Sequence, residues 1–367
     1  MVERLPCKQG VVGSIPTVSF REVYMNTMTM TRQPRKLPTT TPTTSGDAPD
    51  LTSYDTIVVA FSGGKDSLAC LLHLLDSGVD RARIELWHHD IDGREGSTLM
   101  DWPVTRSYCD AVAAAFGVPI YYSWLEGGFE REMARNGTPK ARTWWQQPDG
   151  TLSHSGGQGR PNTRGRFPQV SADLSVRWCS SYLKIDVCAA ALRGQARFTG
   201  ARTLVVTGER AEESTARARY KRFEPHHAAS GKRHIDAWRP IHAWSERQVW
   251  QVIERHRVRP HPAYVAGWGR TSCMFCIFGS KDQWASARTL DAARFAAVAE
   301  RERASGSTIQ RKRSIVELAD AGTSYPATLT ASAKAATSHS YDQVVILGPD
   351  ETWTAPPGAY GESCGPT

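Results

Sequence analysis

The sequence predicts an α/β protein built on a doubly wound parallel sheet, on three observations. An apolar strand, Ile57-Val58-Val59-Ala60-Phe61, runs through a glycine turn into a helix on which Leu68, Leu71, Leu72 and Leu75 recur at helical spacing before Gly78 closes it. Strand and helix patterns then alternate, with strands over 83–88, 118–124 and 203–207 and a helix over 107–116. No internal repeat interrupts them, and alternation of this kind places ligands at the carboxyl ends of parallel strands.

The first turn is Ser62-Gly63-Gly64-Lys65-Asp66-Ser67. Its two glycines let the backbone approach an anion closely, the helix N-terminus adds partial positive charge, and Lys65 adds a full one. A Walker A loop is excluded by spacing, because its earlier glycine would fall at Val59 and Asp66 stands where Ser or Thr is required. No GxGxxG follows the strand, so a dinucleotide fingerprint is absent too. Asp66 is read either as a ligand of a Mg2+ ion bridging phosphates or as a helix cap.

Composition sets the bounds. With 367 residues, 40% hydrophobic and 22% charged, the chain can bury one good core and a second small one. No apolar run approaches the roughly 18 residues of a membrane span, and no leader pattern opens the chain, so a cytoplasmic enzyme is expected. The net charge of +8 favours anionic partners such as nucleotides, sulfate or nucleic acid. Eight cysteines in a chain of this length suit metal or sulfur chemistry better than a disulfide scaffold.

Residues 1–50, rich in Thr, Pro, Arg and Met, are expected to be a disordered extension. Within them Gly13-Ser14-Ile15-Pro16-Thr17 reads back to codons resembling the T-arm of a tRNA gene. Translation would then begin at Met25, Met28 or Met30, in a gene beside a tRNA locus of the kind phages and mobile elements use. The nucleotide-binding domain is placed at 51–265, with a Gly-, Ser- and Arg-rich insertion or lid at about 127–176. A CxxC and helical region follows at 266–322, with helices near 291–304 and 310–321, and a small-residue tail at 323–367.

Three further segments carry chemistry. The first is Arg177-Trp178-Cys179-Ser180-Ser181-Tyr182-Leu183-Lys184; the second is Gly208-Glu209-Arg210-Ala211-Glu212-Glu213-Ser214-Thr215-Ala216-Arg217, after the fourth strand. The third runs from Arg239-Pro240-Ile241, Trp244 and Val249-Trp250 to His261-Pro262-Ala263-Tyr264, Gly267, Arg270 and Cys273-Met274-Phe275-Cys276. Gly208 permits close backbone approach to a nucleotide, and Arg210 offers a planar fork for phosphate or sulfate. Glu213 and Ser214 either hold Arg210, contact a ribose, or simply open a solvated helix. Asp90 lies just beyond the second strand, where nucleotide-binding enzymes that this chain resembles place an acidic group, with Asp92 as its substitute.

In this order, over about 54–279, the motifs resemble the phosphoadenosine phosphosulfate (PAPS) reductase family within the PP-loop adenine nucleotide α-hydrolases. The loop matches SGGxDS, the first segment R-x-C-x-x-x-x-K, and the second GxRxxES..R. The resemblance implies ATP, adenylyl sulfate (APS) or PAPS at residues 62–67 and Arg210, and places the Cys179 segment beside the active site. Cys179, Cys273 and Cys276, with Cys188 as a fourth, suit a [4Fe–4S] cluster; Zn2+ or no metal are the alternatives. The family's adenylyl-sulfate reductases carry a Cys-Cys pair where this chain has Cys179-Ser180. Family reductases also use a cysteine in a C-terminal Glu-Cys-Gly-Leu-His motif, and here the chain reads Gly361-Glu362-Ser363-Cys364-Gly365. Cys7, Cys70 and Cys109 read as tail or core residues.

Two basic runs, Arg160, Arg164, Arg166 and Arg177, then Arg217, Arg219, Lys221, Arg222, Lys232 and Arg233, interleave with Trp144, Trp145, Phe167 and Phe223. They suit either a channel for nucleic acid or a grip on the nucleotide's own phosphates. The preferred expectation is ATP-dependent sulfur insertion, adenylation of an acceptor such as tRNA or DNA followed by thiolation. Reduction of APS or PAPS to sulfite by thioredoxin or glutathione is the enzymatic rival. A non-catalytic, zinc-containing nucleic-acid-binding protein is the rival of another class. A homodimer is one open assembly.

Overall fold

The computed structural model describes residues 48–361. The expectations for residues 13–17, the alternative start codons, Cys7 and Cys364 lie outside the described residues.

Eight strands form one sheet in the order β5-β4-β3-β2-β1-β6-β8-β7. β1 (Thr56–Ala60) pairs in parallel with β2 (Ile84–Asp90) on one side and β6 (Arg202–Val206) on the other. β3 (Ile120–Leu125) extends the parallel ladder beyond β2, and β8 (His234–Trp238) extends it beyond β6. The predicted α/β class with a mostly parallel sheet is therefore the observed one. Its logic is visible in β1, where Ile57, Val58 and Val59 are all fully buried because both sheet faces are covered. Ile57 and Val59 enter the larger core with the leucines of α1 (Lys65–Asp76), and Val58 enters a smaller one with Trp87, Trp145 and Cys188.

The sheet edges depart from the sequence reading. The 127–176 insertion, which shows little periodicity, opens with α3 (Gly128–Met133) and contributes β4 (Arg142–Gln146) and β5 (Leu152–Gly156), antiparallel to β3. The missed signal was the alternation in β4, which buries Thr143 and Trp145 and turns Arg142 outward. On the far edge, β7 (Phe223–Pro225) runs antiparallel to β8.

α2 (Thr105–Phe116) ends at Gly117 in the left-handed region, φ 63°, as a glycine stop requires. The helix expected near 310–321 spans only Ile315–Ala321. A turn bridging Gln310 and Arg313 precedes it, and a Ser314/Glu317 capping box sets its start. The stretch read as a small-residue tail packs closely: Tyr341, Val345 and Leu347 are buried, and Ile346 bridges Val258. Among the described residues no helix is long and apolar enough to cross a membrane.

Candidate functional site

The loop of residues 62–67 sits where β1 meets the N-terminus of α1. Gly63 adopts φ +76°, a conformation L side chains rarely take, and Cys109, Tyr108 and His261 crowd the space a Cβ there would fill. Inside the turn Ser67 Oγ accepts the Ser62 N–H at 3.2 Å and donates to the Gly64 carbonyl at 3.0 Å. The buried Ser67 thus locks the loop, while Ser62 is exposed. Gly64 is the N-cap residue of α1 and makes no side-chain cap bond. Asp66, expected as a cap or a Mg2+ ligand, is not the cap: its Oδ1 accepts Arg210 Nε at 2.7 Å.

Lys65 is only 3% exposed. Its Nζ donates to the Gly269 carbonyl at 3.0 Å and lies 3.5 Å from both the Asp66 and Glu246 carboxylates. Burial disfavours the ammonium, but the Tyr264 oxygen and the two carboxylates outweigh it, and its pKa is raised. Lys65 is therefore a fixed cation. Arg210, also 3% exposed, bonds Asp66 and Glu212, and its backbone N–H donates to Glu213 Oε2 at 2.8 Å. Glu213 thus holds Arg210, as one reading expected, while Ser214 caps the short helix Thr215–Ala218 through the Arg217 N–H. Gly208 lies against α1: a Cβ there would fall 2.9 Å from the Asp66 carbonyl carbon.

Asp90 ends β2 and lines a cavity of about 450 Å³ with His88, Arg94, Asp101, Arg106 and His339 among its walls. Its Oδ2 accepts Arg94 Nε at 2.8 Å and Arg106 Nη2 at 3.1 Å. Asp92, its proposed substitute, instead accepts the Met100 and Asp101 N–H groups and shapes the loop before α2. Burial beside Asp92 pushes the Asp101 carboxyl up to about 7. A cavity of this size accommodates a nucleoside-sized group.

The cysteines come from two directions. Cys273 and Cys276 bracket one turn, closed by Cys276 N–H donating to the Cys273 carbonyl at 3.2 Å. This turn is pinned to the loop before α2 by Trp102 Nε1 donating to the Ser272 carbonyl at 2.8 Å and by Phe275 N–H donating to the Met100 carbonyl at 3.2 Å. Cys179 lies in the short helix Trp178–Ser180. Arg164 steadies that helix, stacking on Trp178 and Tyr182 while bonding the buried Glu132. Burial and the neighbouring Cys276 push the Cys179 thiol up to about 11; burial and then Asp101 raise Cys273 well above its ordinary value.

Among the described residues no three His, Cys, Asp or Glu side chains are arranged to hold a metal ion. Cys188 cannot serve as a fourth ligand, since it packs in the smaller core with Val58 and Trp145 while Cys179 and Cys273 flank the larger one. Among the described residues there is no preformed ligand set for the expected [4Fe–4S] cluster or Zn2+.

The sequence reading missed the contacts that join these parts. Tyr264 Oη accepts the Lys65 N–H at 2.8 Å, and Thr271 Oγ1 lies 2.3 Å from where a Cβ on Gly64 would be. Tyr264 and Gly267 already stood in a recognised motif, but nothing local says that this segment crosses the loop of residues 62–67. The stacking channel fares worse: Trp145 and Phe167 are only 2% and 4% exposed, which removes two of its four platforms.

The model of the phosphoadenosine phosphosulfate reductase domain matches residues 159–278, a span that holds Cys179, Arg210, Cys273 and Cys276 but not residues 62–67. The chain is 28% identical over 267 residues to an uncharacterized 37.8 kDa protein in the gpa 5' region of Escherichia phage 186, covering 67% of this chain and 74% of that protein. It is 35% identical over 98 residues to the adenosine 5'-phosphosulfate reductase of Allochromatium vinosum, covering 27% of this chain and 34% of that enzyme. Over residues 159–278 the chain thus matches the phosphoadenosine phosphosulfate reductase domain, and over a shorter stretch it is similar to adenosine 5'-phosphosulfate reductase.

Proposed function

We propose that this chain is an adenine-nucleotide enzyme of sulfur chemistry, with residues 62–67, Lys65 and Arg210 holding the nucleotide's phosphates and Asp90 its nucleoside. The single observation that carries the reading is the Lys65 Nζ bond to the Gly269 carbonyl, which ties the phosphate loop to the chain four residues before Cys273. A phosphate site and a thiol site on one strap suit a reaction that activates with a nucleotide and then moves sulfur.

In the preferred reaction an acceptor oxygen attacks the α-phosphorus of ATP and pyrophosphate leaves, held by Lys65, Arg210 and the loop N–H groups. A donor supplying sulfur at the oxidation state of sulfide then displaces AMP, so that a C–O or P–O bond is exchanged for a bond to sulfur. The +8 net charge suits a nucleic-acid acceptor, tRNA or DNA. Lys65 and Arg210 stabilise the leaving pyrophosphate by preorganised charge, and no step is routed through a metal cluster. The test is pyrophosphate release from ATP on addition of candidate acceptors. Sulfite released from APS or PAPS without ATP turnover would replace this reading by sulfonucleotide reduction.

One observation favours that second reading. Gly361 packs on Gly269, where an added Cβ would lie 3.6 Å from the Gly269 Cα and N. Cys364 follows three residues later in the sequence, outside the described residues. On that reading the Cys364 thiolate takes the sulfonate from the nucleotide, releasing AMP or its 3'-phosphate, and a second thiol frees sulfite as a disulfide forms. Cys364→Ser would abolish sulfite release; unchanged release dismisses Cys364 as the nucleophile.

A further inference from the structure

Residues 264–271 do more than cross the phosphate loop. Tyr264 Oη takes the Lys65 N–H at 2.8 Å, the Gly269 carbonyl takes Lys65 Nζ at 3.0 Å, and Thr271 Oγ1 rests against Gly64. An N–H at the start of a helix and a lysine ammonium are the donors a bound phosphate would use. Two neutral oxygens of the chain itself stand on them, with the Asp66 and Glu246 carboxylates 3.5 Å from the ammonium. We propose that residues 264–271 form a self-ligand of the phosphate loop, which a polyphosphate displaces when it binds. The inference rests on reading residues 62–67 as the nucleotide loop.

The energetics favour exchange. Hydrogen bonds with an ionised partner are roughly twice as strong as neutral ones, so a phosphate oxygen outcompetes the Tyr264 phenol for the neutral Lys65 N–H, and its charge adds to the exchange at the Lys65 ammonium. The strap can yield, because Gly267 already sits at φ +102° and Gly269 follows two residues later. Its far end is held separately by the Trp102 bond to the Ser272 carbonyl, so displacement moves residues 264–271 as far as that anchor and leaves the Cys273–Cys276 turn in place. An empty site keeps the strap down.

Hydrogen–deuterium exchange of the full chain with and without inorganic pyrophosphate tests this, because displacement gives opposite signs in two places. Peptides over residues 62–67 become protected while those over 264–271 exchange faster. Tyr264→Phe keeps the ring packed on Trp250 and removes only the hydroxyl. It is expected to bind pyrophosphate about fivefold tighter, the worth of one neutral hydrogen bond that no longer has to be broken. Protection of both segments, or unchanged or weaker binding by Tyr264→Phe, overturns the self-ligand while leaving the nucleotide loop intact. Absence of pyrophosphate binding to the wild type overturns both readings together.

Discussion

Gly208→Ala offers a sharp test of how the sheet positions the loop of residues 62–67. The new Cβ would stand 2.9 Å from the carbonyl carbon of Asp66, 3.0 Å from its oxygen and 3.2 Å from its Cβ, whereas ordinary contact begins at 3.4 Å. Two of these three atoms are backbone in the first turn of α1, so the helix start must retreat by about half an ångström or the strand end must bend. Overpacking of this kind costs about 1–3 kcal/mol. At roughly 2–4 °C per kcal/mol for a domain of moderate size, the melting temperature should fall by roughly 2–12 °C. The displaced residue is the partner of Arg210 at 2.7 Å, so pyrophosphate affinity should fall by about tenfold, equivalent to about 1.4 kcal/mol. Scanning calorimetry and titration calorimetry read the two effects. Gly231→Ala, where an added Cβ meets open space, is the control. If Gly208→Ala keeps the wild-type melting temperature and affinity, the close approach of Gly208 to α1 is not what sets the loop.

Other perturbations address the remaining parts. Lys65→Ala removes the buried cation of the loop and should lower pyrophosphate release from ATP on the order of a hundredfold, as loss of a preorganised charge does; retained turnover would reassign the leaving-group role. Glu132→Gln leaves the Arg135 and Arg164 guanidinium groups, both bonded to Glu132 Oε1, without their counter-charge. Breaking a buried pair costs about 3–5 kcal/mol, and an unchanged urea midpoint would show that this cluster does not hold the insertion. His261 is fully buried, accepts the Ala263 N–H at Nδ1, and has its pKa lowered by burial to about 3. Because the unfolded chain takes up that proton near pH 6.5, stability is fully present above that value and declines as pH falls towards 3. His261→Asn, which can still cap Ala263, should flatten this part of the melting-temperature profile. An unaltered slope would assign the effect to His89 and His226, which are lowered to the same range.

What the sequence alone determined was local. The strand over 57–61, the glycine turn and the leucine helix follow from periodicity and from the backbone freedom of glycine, so β1, the turn after it and α1 were legible before any contact was known. Glu213 could be offered as a holder of Arg210 because the two lie within one helical turn. The antiparallel edge was hidden because β4 carries one short alternation inside a Gly- and Arg-rich stretch, and its burial depends on docking against β3. The cysteines were legible as thiols but not as ligands, since a metal centre is a statement about convergence in space. Cys188 falls in the smaller core simply because of where its helix packs. Most of all, tertiary structure decided that residues 264–271 lie across the loop: Lys65 and Gly269 are 204 residues apart, and no pattern along the chain encodes a hydrogen bond between them. Spacing specifies which groups a turn can present, and packing alone specifies what stands in front of them.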